Sequence, residues 1–329
     1  MAPLKFAFIG CGKIAKFHAD VILALGHKIM AVSAREGSKN INEFSEKYNI
    51  NDKNRYINWK TMIDGGKPDA IIVAVSWNQT EKIIEDIIKT GIPCLVEKPI
   101  VLNSKKLQEI INNTRKFHNN IMIAYNRRFY DFIPKIKKVL NENKEDLLSI
   151  ELNFPEATKS LSERYSEKIL DHILIYMTSH WLDLLTYLIG NIEVKWMQKK
   201  TDSYNGILYS TNYDVPIHLQ INFNTSSNTS ITLNFKNCIY KLCPIEVLTI
   251  YKGMEIVEPT PEYPIRKYVP KTQNKIVTDT SYKPGFLKQM ENFIDCFVKK
   301  NKENNIGCTL PNALQVIKLC EEIKTNETS

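Results

Sequence analysis

The chain of 329 residues is notable first for what it does not contain. Its longest apolar run, AIIVAV, is far shorter than the ~20 residues a helix needs to cross a bilayer. The opening stretch MAPLKFAFIG has no signal-peptide core, because Lys5 interrupts it and Gly10 follows at once; a cytoplasmic protein is expected. With 12 glycines and 14 prolines there is no low-complexity tract, and no repeat period is visible. The cysteines number seven, odd and scattered, which argues against a disulfide framework and for free thiols in a reducing compartment. Cys238 and Cys243 stand five apart with no second pair or nearby histidine, so they read as strand residues and not as zinc ligands.

Charge of one sign is also not concentrated anywhere. The formal net charge of +8 comes from 44 Lys+Arg against 36 Asp+Glu, interspersed through the chain. No dense basic block or base-stacking motif exists, so neither nucleic acid nor a membrane is expected as a partner. A solvated surface accounts for the excess, with anionic small molecules as the secondary reading.

What is present begins with a nucleotide-binding pattern. LKFAFI, residues 4–9, reads as a short buried strand, and GCGKIA follows directly. A helical pattern then runs from about Lys13 to Leu25, and a second strand, HKIMAVSA, comes after it. Gly10 allows the tight turn, and Gly12 lets the backbone approach a pyrophosphate. Ala15 lets the helix pack close to the strand, while the free N–H groups around Lys13 and Ile14 face the phosphates. A GxGxxA pattern is weak alone; set between a strand and a helix it points to a dinucleotide.

The tip of the second strand bears on which dinucleotide. An NAD site would normally offer a carboxylate to the ribose there, whereas this chain has Ser33, Ala34 and Arg35. Ser33 and Arg35, with Ser38 or Lys39, suit a 2′-phosphate, so NADP is the expected cofactor. Glu36 keeps NAD open, since it would reach the ribose if the turn shifted by one residue.

Strands and helices go on alternating. DAIIVAVSWNQ, PCLVEKPI and NIMIAYNRR read as strands with their loops, and TEKIIEDIIKTG and NSKKLQEIINNTRKF as helices. This predicts an α/β fold with a doubly wound parallel sheet and a ligand at the strands' C-terminal ends, where SWNQ, EKPI and NRRF fall. Further on, YMTSHWLDLL sets His180 beside a stripe of Trp181, Leu184, Leu185 and Leu188, a pattern that by itself suggests a core histidine.

With GCGKIA, CLVEKPI, YNRRF and SHWLDLL in this order and at these intervals, the chain resembles the glucose–fructose oxidoreductase / inositol dehydrogenase / rhizopine-catabolism (Gfo/Idh/MocA) family over nearly its whole length. The resemblance implies an N-terminal NAD(P)-binding Rossmann domain, residues 1–124. Residues 125–329 would form an α/β domain with a large open antiparallel sheet, for substrate binding and assembly into a homodimer or homotetramer. It implies an oxidoreductase that passes a hydride between nicotinamide and a sugar, cyclitol or nucleotide sugar. Two alternatives come with the family: a catalytically silent NAD(P)-binding regulator, and an NAD-dependent glycosidase that recycles its cofactor.

Carried over by position, Glu97, Lys98 and Pro99 match the family's Glu-Lys-Pro, and Lys98 would contact the nicotinamide ribose and the reacting hydroxyl. Oxidising an alcohol builds alkoxide character, which an ammonium stabilises. Ser76, Trp77 and Asn78 match a loop that borders the cofactor, although the family often has proline here and histidine where this chain has Thr80. His180 matches the catalytic histidine, with Asp183 either orienting it or pairing at the surface. Asn126 and Arg127 would face the substrate, and Arg128 would pair in the core or bind an anionic group.

One departure is clear. Four residues before His180 many members have aspartate, and this chain has Tyr176; the preceding glycines are replaced by Leu170, Asp171 and His172. Tyr176 would share a helix face with His180 and assist the proton transfer without supplying a negative charge. His172, Tyr176 and His180 repeat at four-residue spacing, but no acid completes a ligand set. They read as a polar wall around a sugar, with no metal.

Overall fold

Short apolar runs alternating with amphipathic segments close into a parallel sheet, as the 2-to-3.6 switch in periodicity requires. The structure, a computed structural model, describes residues 2–164, 167–301 and 303–326. Strands β1 (Lys5–Ile9), β2 (Lys28–Ser33), β3 (Arg55–Tyr56), β4 (Ala70–Val73), β5 (Cys94–Val96) and β6 (Ile121–Ile123) lie in the order β3-β2-β1-β4-β5-β6. Every pair is parallel. All four residues of β4 are buried, which is why its sequence is an unbroken apolar run and does not alternate. Helices α1 (Lys13–Ala24), α2 (Asn40–Lys47), α3 (Trp59–Gly66), α4 (Trp77–Lys89) and α5 (Ser104–Asn113) connect the strands.

Two boundaries differ from the sequence reading. The last strand ends at Ile123, and Asn126–Phe129 is a single 3-10 turn. The loop after β4 stops at Ser76, so Trp77 and Asn78 open a helix.

The second sheet is larger. It contains β7 (Leu147–Glu156), β8 (Ile192–Lys200), β9 (Ser203–Ser210), β10 (Val215–Phe223), β11 (Ser230–Phe235), β12 (Cys238–Leu242), β13 (Val247–Val257) and β14 (Lys267–Val277). Their order is β14-β13-β12-β11-β7-β10-β9-β8, antiparallel throughout except for the parallel β7–β10 pair. Alternation is clean where one face is covered: Ile150, Leu152 and Phe154 of β7 are buried and Glu151 is exposed. β14, KYVPKTQNKIV, carries no strand signal of its own, because it is polar and contains a proline. It is exposed almost throughout and exists by pairing with β13, and Pro270 is tolerated because β14 is an edge. Helices α6 (Ile133–Glu142), α7 (Thr158–Arg164) and α8 (Ser179–Ile189) belong to this part of the chain.

The two compact units are not contiguous in sequence. The first comprises residues up to Phe129 together with Asp279–Lys318; the second comprises Tyr130–Thr278 and the chain from Leu319 onward. The sequence reading has one boundary, between 124 and 125. In the structure the segment carrying α9 (Phe286–Phe293) and the start of α10 (Leu310–Thr325) rejoins the parallel sheet. The Ile123 N–H donates to Cys308 O at 2.8 Å, and Phe286, Met290 and Phe293 join the core under β1 and α1. That burial of aromatic area explains why the chain returns.

Candidate active site

In the first unit the site is built on the C-terminal edge of the parallel sheet. Gly10 has φ +101°, and a Cβ there would lie 2.3 Å from the Ala74 carbonyl oxygen, so only glycine passes between β1 and β4. Gly12 is different: it caps α1 with no side-chain bond, and nothing lies within 4 Å of where its Cβ would be. Its bare backbone and the unpaired first-turn N–H groups of α1 leave room for a pyrophosphate, and no acidic residue stands in that turn. Lys13 is exposed at the start of α1, while Ile14 packs against the core. These features fit the phosphates of a nicotinamide dinucleotide.

The tip of β2 lies beside this turn. Gly10 N–H donates to the Ser33 carbonyl at 2.8 Å, and Ser33 is buried. Beyond it the chain bends, with Ser38 N–H donating to Arg35 O at 3.1 Å. Ser38 Oγ comes within 3.5 Å of Cys11 Sγ in the glycine turn. Arg35 and Glu36 are both exposed on this bend.

β5 delivers Glu97 and Lys98 to the same edge. Glu97 N–H donates to Val73 O at 2.9 Å, and the Lys98–Pro99 peptide is cis. Glu97 and Lys98 are half-buried. At the end of β4, the Ser76 hydroxyl donates to Asn78 Oδ1 at 2.6 Å, and Trp77 is half-buried.

Two residues that sequence reasoning missed complete this group. His18, fully buried on α1, holds Glu97 Oε1 at 2.7 Å through Nε2. Its ring lies 4.6 Å from that of Phe286. Lys283, from the returning segment, sets its Nζ 5.1 Å from the Phe17 ring and 4.6 Å from the Phe286 ring. Burial pulls its ammonium below the ordinary lysine range, Glu97 opposes that shift, and Arg127 and Lys13 add to it. His18 carries a weak signal, a histidine on the apolar face of the first helix; Lys283 carries none.

The 3-10 turn after β6 places Asn126 and Arg127 differently from each other. Asn126 is buried, its amide donates to Pro284 O at 2.8 Å, and its Oδ1 accepts from Arg127. Arg128 is buried and donates to Ile306 O at 3.3 Å. Asn126 and Arg128 therefore tie the turn to the returning segment, and half-buried Arg127 is the member with a surface to offer.

In the second unit, His172, Tyr176 and His180 do not lie on one regular α-helix. Glu167–His172 is a 3-10 segment, Leu174–Thr178 a π turn, and His180 the second residue of α8. The even spacing thus runs through three backbone types, and all three side chains are half-buried. π turns inside helices are common at functional sites. This one is anchored to β7: Thr178 Oγ1 donates to Glu156 Oε1 at 2.8 Å, both buried, and Trp181 stacks on Phe154 at 6.2 Å. Asp183 is fully buried, which excludes its pairing at the surface.

A family model described as an oxidoreductase family with an NAD-binding Rossmann fold matches residues 4–125. Over 193 residues the chain is 22% identical to myo-inositol 2-dehydrogenase of Thermotoga maritima, covering 57% of this chain and 55% of that protein. The chain thus spans about half the length of the curated relatives it matches. Among solved structures, the WlbA dehydrogenase of Bordetella pertussis, in complex with NADH and UDP-GlcNAcA, superposes with a TM-score of 0.76 at 14% identity. That match covers 98% of this chain and 94% of the other. UDP-N-acetylglucosamine 3-dehydrogenase GnnA of Acidithiobacillus ferrooxidans gives 0.72 at 14% identity, over 99% and 98%. At these identities the likeness is one of fold. No helix among the described residues is long and apolar enough to cross a membrane.

Proposed function

We propose that the chain, whose residues 4–125 match the model of an oxidoreductase family with an NAD-binding Rossmann fold, is a nicotinamide-dependent dehydrogenase of the Gfo/Idh/MocA type. Its substrate would be a CH–OH group of a sugar, cyclitol or nucleotide sugar, and NADP(H) its preferred cofactor. The observation that carries this reading is the shared sheet edge. A glycine turn that accepts only glycine at residue 10 and leaves residue 12 bare lies on the same edge as the Glu97-Lys98 loop.

The backbone of Gly10, Gly12, Lys13 and Ile14 holds the phosphates at the start of α1. Buried Ser33, exposed Arg35 and Ser38 border the adenosine ribose, with no carboxylate at the strand tip to repel a 2′-phosphate. Ser76 and Trp77, at the start of α4, border the cofactor, and Glu97 fixes the ribose side. When bound, the nicotinamide supplies the hydride chemistry. Lys98 places an ammonium against the substrate oxygen, where negative charge develops. His180 takes the hydroxyl proton on oxidation and returns it on reduction, a task suited to imidazole near neutral pH. Tyr176 assists by hydrogen bonding, and His172 and Arg127 contact the substrate. The chain assembles as a dimer or tetramer through the large sheet.

Tyr176 in place of a carboxylate favours one second reading, a protein that binds the cofactor without turning it over. Fluorescence titration with NADPH and NADH, followed by a turnover screen of sugars, cyclitols and nucleotide sugars, separates the two. Tight binding with no turnover for any of them gives the second reading. Under the first, Lys98→Ala lowers kcat by about 10²- to 10⁴-fold with cofactor binding retained. Wild-type turnover in that variant would remove Lys98 from the mechanism, and absence of binding by either cofactor would remove the proposal.

A further inference from the structure

Lys283 comes from the segment Asp279–Lys318, which returns to the first unit after the second sheet is complete. The segment is pinned just beyond this lysine, where Pro284 O accepts from the Asn126 amide at 2.8 Å and Gly285, at φ +80°, turns the chain into α9. Its position relative to α1 follows from two rings. Phe17 lies four residues after Lys13 on α1, so the two share a helix face one turn apart. Lys283 Nζ is 5.1 Å from the Phe17 ring, and it interacts electrostatically with Lys13 at the start of α1. Phe286, 4.6 Å from the same Nζ, lies 4.6 Å from His18, and His18 holds Glu97. The ammonium is therefore held against Phe17 and Phe286, within electrostatic reach of Lys13 at the start of α1, of Glu97 and of Arg127.

Its partners in the protein are poor. Among the described residues its Nζ makes no ion pair or hydrogen bond, and it lies over the Phe17 and Phe286 rings. Glu97, the carboxylate that acts on it electrostatically, is engaged by His18 at 2.7 Å. Arg127 and Lys13 face it with like charge, and the stem is half-buried. A lysine free to choose would extend into water, because three donors without an acceptor are costly when partly desolvated. Here the two rings hold it in place, and the local excess of cations is what a doubly charged anion at the first turn of α1 would neutralise.

We propose that Lys283 donates to the pyrophosphate of the dinucleotide at the start of α1, so that the returning segment completes the cofactor site. This extends the dehydrogenase reading above and rests on its cofactor. It assigns a binding role to a residue outside the glycine motif, in a segment the Rossmann pattern does not include.

The test is equilibrium binding of NADPH, NADH, ADP-ribose and adenosine to the wild-type protein and to Lys283→Met, which keeps the stem against Phe17 and Phe286 and removes the charge. The two dinucleotides and ADP-ribose, which all carry the pyrophosphate, should weaken about tenfold or more. Adenosine, which carries none, should bind both proteins alike, and Lys283→Arg should restore most of the loss. Equal affinity of Lys283→Met and wild type for all four probes would overturn the assignment, as would an equal loss for adenosine. If wild-type protein bound none of the four, the cofactor reading itself would fall, whatever the variant did.

Discussion

His18 Nε2 lies 2.7 Å from Glu97 Oε1, and His18 Nδ1 is buried with no hydrogen-bond partner among the described residues. A proton on Nδ1 would be a buried donor without an acceptor, so the ring carries it on Nε2 and donates to the carboxylate. This bond fixes the residue next to Lys98, and His18 is fully buried against Phe286. His18 is thus a positioning residue for the Glu97-Lys98 loop.

His18→Phe keeps a ring against Phe286 and removes the donor. It should lower unfolding free energy by about 1–3 kcal/mol and kcat by about tenfold, with His18→Gln recovering part of the kcat. Chemical denaturation and steady-state kinetics measure the two effects. A purely structural role would show as lost stability with kcat unchanged in the folded protein.

Gly10 and Gly12 should respond differently to the same methyl group. Gly10→Ala forces a Cβ to 2.3 Å from Ala74 O at φ +101°, and should cost more than about 2 kcal/mol of stability. Gly12→Ala meets nothing within 4 Å, so stability should stay within about 0.5 kcal/mol while NADPH affinity falls about tenfold. Thermal unfolding and titration check both; Gly12→Ala binding like wild type would contradict the phosphate assignment.

Arg35 is exposed on the bend after β2. Arg35→Asp should leave stability within about 0.5 kcal/mol and shift the NADPH-to-NADH affinity ratio toward NADH by about tenfold. An unchanged ratio would mean that the 2′-phosphate is read by other residues.

Lys283 gives a pH dependence with a definite sign. Its pKa is lowered from 10.5, first by burial, with Arg127 and Lys13 adding to the shift and Glu97 opposing it; His18, through Glu97, faces the same cluster. Only the protonated amine carries the charge that attracts a phosphate, so affinity should be full below the lowered pKa and fall as pH rises through it, before the ordinary lysine value is reached. Affinity for ADP-ribose, followed from about pH 7 to about pH 10, should decline in wild type and stay flat in Lys283→Arg. A flat wild-type profile would argue against a phosphate contact.

The sequence by itself carried the parallel sheet, because buried strands must be apolar on both faces and their connecting helices amphipathic, and β1, β4 and α1 lie where that pattern predicts. It also carried the Gly10–Gly12 turn and the Glu97-Lys98 loop, since both are local motifs whose chemistry needs adjacent residues. Tertiary structure decided what adjacency cannot encode. β14 has no apolar alternation and forms through its pairing with β13. The even spacing of His172, Tyr176 and His180 implied one helix, yet a 3-10 segment and a π turn interrupt it, the latter bonded to Glu156 on β7. Lys283 and Phe286 come to lie against α1 because the chain doubles back to bury aromatic area against α1 and β1. Periodicity records which face of an element is buried, but not which distant segment buries it.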